Sequence, residues 1–245
     1  MKKTKIIIPA LGLLVLSTAA SVTGTVAWFA MNNTVTATGL QVEAKSNSLY
    51  LMIGAVNENL TTIQAKTGDA AATTALSVSS EEAQVYPSAH ETFASEVTPD
   101  LPASWYTASG VSQVAAGYTM KPGSKVSLTA GNFAQYVIKR SINLTVAAGS
   151  NATGAITLTL EKSAAASGKV NDAVSAVAVC GTTYLEFNEA NSWANASTLV
   201  SSVTNDALTQ VDFYIYYDGN NDSVYTDNAA NLDGATFTFT FTAAA

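Results

Sequence analysis

The chain of 245 residues holds one cysteine, Cys180, and one histidine, His90. A single cysteine excludes an internal disulfide, and its place in the apolar run Val177-Ala178-Val179-Cys180 predicts a small buried hydrophobe. A single histidine leaves Ser or Cys nucleophiles short of a base, and His90, in Ser88-Ala89-His90-Glu91, reads as a solvated loop residue. There is no Gly-x-Ser-x-Gly elbow, no His-Glu-x-x-His pair, no phosphate-cradling glycine loop and no Cys-x-x-Cys. Glu81-Glu82 and Glu186 with Glu189 are pairs of acids, but spacing alone does not set two carboxylates across a sugar. The expectation is a protein that is not an enzyme and carries no cofactor.

Charge is also scarce, at 12% of residues. Eleven Lys and Arg stand against eighteen Asp and Glu, for a formal net charge of -7. Nucleic acid is excluded as an expected partner, because a phosphate backbone needs clustered cations and Lys139-Arg140 is the one adjacent pair beyond the amino terminus. That pair reads as a sheet-edge charge.

What is present is alanine, threonine, serine, valine and asparagine, with hydrophobic residues at 48%, enough to build a core. Thr, Val, Ile, Tyr and Phe suit a pleated surface better than a helix.

The amino terminus has the three regions of an export leader. Lys2, Lys3 and Lys5 form a positive region, Ile6 to Leu16 an apolar one, and Ser17 to Ala27 a run of small residues. Eleven apolar residues are fewer than the roughly 20 that cross a bilayer, so cleavage is expected over a permanent anchor. Thr25 and Ala27 place the cut between Ala27 and Trp28, with Ala30 as the alternative. Residues 1–27 are then a signal peptide that touches the membrane only before cleavage, and 28–245 one exported domain with a net charge of -10 once the three leader lysines are gone.

The stretch Thr23-Gly24-Thr25-Val26-Ala27-Trp28-Phe29, followed by Asn32-Asn33-Thr34-Val35-Thr36-Ala37-Thr38-Gly39-Leu40-Gln41-Val42, resembles the leader and first strand of the TasA/camelysin family. Met120-Lys121-Pro122-Gly123-Ser124-Lys125-Val126 is similar to that family's Lys-Pro-Gly turn, and Thr236 to Phe241 to its closing strand. The resemblance implies a SipW-type signal peptidase during export, a jelly-roll-like sandwich and assembly into biofilm-matrix fibres. It does not extend over the segment from about Thr61 to Gly117.

Period-two alternation marks the strands directly. Ile156, Leu158 and Leu160 share a face, as do Val211, Phe213, Ile215 and Tyr217, and Phe237, Phe239 and Phe241 alternate with threonines. Each of these predicts a strand with one wet face, which puts Asp212, Tyr214 and Tyr216 in water. Tyr136 to Val146 alternates too, with Ile138, Ile142, Leu144 and Val146 inward and Lys139, Ser141, Asn143 and Thr145 outward. Arg140 interrupts its apolar face, its stem covering apolar surface while its head reaches water. In Thr34 to Ala44 the apolar parity changes at Gly39, which predicts a bulge. Weaker strands are Leu49 to Gly54, Val126 to Thr129, Val174 to Val179 and Thr183 to Phe187, and Asn191 to Leu208 has room for a short helix. The fold expected is all-β: a jelly-roll-like two-sheet β-sandwich of nine or ten strands, with 61–117 as a long irregular insertion touching it at Trp105-Tyr106.

Asp218-Gly219-Asn220-Asn221-Asp222 has oxygen ligands at the first, third and fifth positions of a calcium loop. Ser223 stands where such a loop needs glycine and Ala229 where it needs a bidentate acid, so a hairpin turn is expected, with Asp218, Asn220 and Asp222 as the candidate ligands should metal bind.

Two functions fit. In the first, leader removal frees Trp28 to about Ala44, which adds as a strand to the next subunit and builds a homopolymer; Trp28, Phe29, Val35, Leu40 and Val42 are the candidate polymerisation residues. In the second, the protein is a monomeric adhesin or glycan-binding module using Trp105, Tyr106, Trp193, Tyr214 and Tyr216 as stacking surfaces.

Overall fold

The computed structural model describes residues 51–66, 73–79, 85–91, 99–108, 125–149, 155–188 and 197–243, all within the compact unit Met31–Ala245. In chain order the elements are β1 (Leu51–Ala55), α1 (Leu60–Gln64), β2 (Thr73–Ser79), β3 (Ala89–His90), β4 (Trp105–Ala108), β5 (Lys125–Ser127), β6 (Val137–Val146), β7 (Ile156–Lys162), β8 (Val174–Cys180), β9 (Thr183–Phe187), β10 (Ser197–Val200), β11 (Thr209–Tyr217) and β12 (Thr236–Ala243). The protein is all-β and its strand ladders are antiparallel.

Two sheets form the sandwich. One has the order β1-β6-β11-β8-β9 and the other β10-β7-β12-β2. Alternation dictates what lies between them. Phe237, Phe239 and Phe241 of β12 are fully buried, as are Ile156, Leu158 and Leu160 of β7, and register sets Phe239 beside Leu160 and Phe241 beside Leu158. Across the gap Phe213 of β11 meets Phe239 with ring centroids 4.2 Å apart, and Phe187 of β9 meets the same ring at 6.3 Å. Burying a side chain of this size is worth about 1.5–3 kcal/mol, so this aromatic seam is a main source of cohesion.

The five-stranded sheet is covered on its second face as well, contrary to the wet face expected for Asp212, Tyr214 and Tyr216. A third sheet, β3-β4-β5, lies there as a roof. Trp105 from β4, Leu128, Val137 of β6, Val177 of β8, and Tyr214 and Tyr216 of β11 form one buried cluster. Tyr214 and Tyr216 are 1% and 2% exposed because the roof takes the place of water.

At the other end of that face α1 does the covering. Asn59 caps it by accepting the Thr62 N–H at 2.9 Å, and its Ile63 is fully buried over Gly54. A Cβ on Gly54 would stand 2.2 Å from Ile63 Cδ1, so only glycine lets the helix approach β1 this closely. Asn143 and Thr145, expected outward, are therefore buried. Asn143 Nδ2 donates to the Ala55 and Val56 carbonyls and Thr145 Oγ1 to the Thr204 carbonyl.

Other expectations also need correction. The 61–117 segment is less irregular than its composition suggests: its described residues include most of α1, and all of β2, β3 and β4. Of the stretch 191–208, residues 197–208 are described and hold a strand, β10, with Leu199 and Val200 buried; 191–196 lie outside the described residues. Cys180 is only half-buried, at the end of β8 just before a two-residue turn whose Gly181 has φ +58°. Burial, and then the charge of Asp212, push its thiol up, which disfavours the thiolate.

Candidate functional site

Strand addition needs a free sheet edge, so the edges are the surfaces to compare. β1 ends the five-stranded sheet, and side chains occupy part of its ladder. Glu58 Oε2 accepts the Ala55 N–H at 2.6 Å, Lys66 Nζ reaches Ile53 O at 3.5 Å, and the two side chains pair at 2.7 Å. β1 pairs with residues 142–146 of β6, leaving 137–141 flanked only by β11 among the described strands. Lys139 and Arg140 stand there, in agreement with the sheet-edge reading of that pair. Lys139 bridges to Asp100 and, at 3.4 Å, to Asp212; exposed Arg140 donates to Lys139 O. Burial works to raise the Asp100 carboxyl, but hydrogen bonds from Lys139 and Tyr214 hold it below its ordinary value. Charges of this kind blunt an edge.

At the opposite margin β9 carries Glu186, and β10 has four residues with a register shift between Thr198 and Val200. β2 differs. It is seven residues long, paired in continuous register with β12 from Thr73↔Thr242 to Ser79↔Thr236, and Thr-Thr-Ala-Leu-Ser-Val-Ser contains no charge, proline or glycine.

His90 is the largest departure from the sequence reading. It is not a solvated loop residue: its side chain is 7% exposed, held edge-on to Trp105 at 5.0 Å and Tyr216 at 5.4 Å. Nδ1 lies 2.9 Å from the Glu91 carbonyl oxygen, which only accepts, so this nitrogen donates. Nε2 lies 3.0 Å from Glu186 and 3.1 Å from the Tyr216 hydroxyl. The hydrogen bond from His90 lowers the Glu186 carboxyl, burial opposes it, and the His90 charge and Asn188 add to the lowering.

An imidazole, a carboxylate and a phenol thus meet, but beneath the roof, where Ser175 and Trp105 are fully buried. The arrangement ties the roof to β9 and β11, with the Glu186 side chain 27% exposed at its margin. A depressed carboxyl stabilises the fold above the ordinary Glu value and loses that contribution as pH falls through the folded value. Melting temperatures of the protein and of Glu186→Gln should therefore differ most near neutrality and converge as pH falls below about 4.5.

The Asp218–Asp222 loop is another point where the roof is tied down. Asp218 Oδ1 accepts Asn220 N–H at 2.9 Å, Asn221 Oδ1 accepts Ser223 N–H at 2.9 Å, Gly219 N–H donates to Ser88 O, and Asn220 reaches the Tyr106 hydroxyl at 3.3 Å. Asp222 is exposed. Among the described residues no three His, Cys, Asp or Glu side chains converge as a metal site would require. With Asp218 Oδ1 engaged in a turn hydrogen bond and the Asn220 amide turned to Tyr106, chelating calcium is expected to leave the melting temperature unchanged; a fall of several degrees would show the loop to be a metal site.

Ala27, Trp28, Phe29, Val35, Leu40 and Val42, and the bulge expected at Gly39, lie outside the described residues. The roof cluster escaped sequence reasoning except at Trp105-Tyr106, whose contact with the sandwich was expected. A signal for the rest existed in the aromatic alternation of Tyr214 and Tyr216, since two phenols on a supposedly wet face ask for a cover. Set against protein-family models, curated proteins and solved structures, the chain matches none.

Proposed function

We propose that this protein is an exported, non-enzymatic subunit of an extracellular bacterial fibre or biofilm matrix. After leader removal, Trp28 to about Ala44 of one copy adds as a strand to the sandwich of the next. The contact runs head to tail and does not close, so it propagates as a filament. The jelly-roll form, the signal peptidase and the matrix location are what the resemblance at Thr23 to Val42 implies.

The structural observation that supports this reading is a two-sheet sandwich with a long, uncharged edge strand, the receptor geometry that strand addition requires. The adhesin alternative has less support. Of its five stacking residues Trp105, Tyr106, Tyr214 and Tyr216 are buried, and Trp193 lies outside the described residues.

Processing is the first test. Intact mass of the secreted protein should correspond to a chain beginning at Trp28. A product that retains Lys2 to Lys5 and stays in the membrane would replace export and cleavage with anchoring.

A further inference from the structure

We infer that the acceptor for the added strand is the outer edge of β2, Thr73–Ser79. The inference rests on the strand-addition reading and assigns it a place. Among the described residues β12 lies between β7 and β2 and β2 is the last strand of its sheet, with one of its two rows of N–H and C=O groups paired to β12. No described strand pairs with the second row.

Sheet edges in soluble proteins are blunted by shortness, charge, proline or a bulge, because an unblunted edge recruits strands. Each of the other long edges has such a device. The Glu58–Lys66 pair fills ladder positions on β1. Lys139 and Arg140 stand on the open part of β6, Glu186 on β9, and a register shift interrupts the four residues of β10. In the roof, β3 has two residues and β5 three, with Lys125 on the latter. β2 alone among these edges is seven residues long, continuous, uncharged and free of proline.

The proposed occupant is the segment Thr34–Ala44 of a second copy. At about 3.3 Å per residue, its eleven residues outreach the seven of β2. From Thr34 to Val42 it carries no charge, so pairing along β2 desolvates main-chain groups that find partners and strands no ion. On a charged edge the same segment would have to displace an ion pair first.

The test is hydrogen exchange on the mature protein, as monomer, as filament, and as monomer with a synthetic peptide spanning Trp28 to Lys45. Alternate amides of Thr73–Ser79 should slow by about tenfold or more in filaments and with peptide, while 51–55, 183–187 and 197–200 stay unchanged. Slowing at one of those other edges, with 73–79 unaffected, overturns the assignment but leaves strand addition standing. Failure to form filaments together with no peptide protection anywhere removes both. A second arm uses Ala75→Pro and Leu76→Pro. Adjacent residues point their N–H groups to opposite sides of a strand, so one variant disrupts the β12 ladder and the other faces the edge. The one that keeps the native melting temperature should lose peptide binding; native-like binding by that variant counts against β2.

Discussion

Trp105→Ala should destabilise the domain by about 3–5 kcal/mol, the range for emptying a large aromatic site in a packed interior. The indole is fully buried and meets Tyr216 at 4.9 Å, His90 at 5.0 Å and Phe133 at 6.2 Å. Its Nε1 donates to Pro99 O at 2.9 Å, so truncation also leaves a carbonyl without that donor. It is the largest side chain under the roof, and β4, which carries it, has only four residues to hold the sheet in place. Urea unfolding of the variant measures the effect. Val126→Ala, at a side chain 43% exposed on neighbouring β5, is the control and should change stability by no more than about 0.5 kcal/mol. A loss below 1 kcal/mol for Trp105→Ala would mean that the roof is a loose cover and that Tyr214 and Tyr216 are available to ligands after all.

The parts of the fold visible in the sequence are those where one physical pattern decides the outcome. β7, β11 and β12 alternate cleanly, and their apolar sets are the ones buried between the sheets. Arg140 falls opposite Phe213 in the ladder yet stays exposed, because β1 pairs no further than Ile142. The parts missed depend on what covers a surface. Asn143, Thr145, Tyr214 and Tyr216 have the parity of outward residues, and only tertiary contacts from α1 and the roof bury them. The roof strands, of two to four residues, are too short for a period to show. His90 looked solvated because its partners, Glu186 and Tyr216, are remote in sequence and no local pattern links them. The candidate acceptor edge was equally hidden: Thr73 to Ser79 reads as another Ala, Thr and Ser cluster until its pairing with β12 is known.

Deleting Trp28 to Asn33 should abolish filaments and leave the sandwich folded. The deletion removes the candidate aromatic anchors, Trp28 and Phe29, whose burial in a neighbour is proposed to drive docking. It touches none of the described core residues, since among these β6, β7, β9, β11 and β12 supply side chains that meet between the sheets. A charge at Val42 acts on the same contact differently. Val42→Asp would bury an unpaired carboxylate in the receiving groove, a cost of several kcal/mol, so assembly should weaken by at least about a hundredfold with little change in monomer stability. Circular dichroism of both variants establishes that the fold survives, and sedimentation reads the assembly. Normal filaments from the truncated protein would eliminate the donated strand as their cause.

The central claim is that removing the leader converts a monomer into a polymer. Electron microscopy of precursor and processed protein, purified separately and imaged at matched concentration and pH, tests it without any substitution. Filaments are expected from the chain that begins at Trp28 and isolated particles from the chain that keeps its leader. A processed protein that stays monomeric at high concentration and across pH would contradict it.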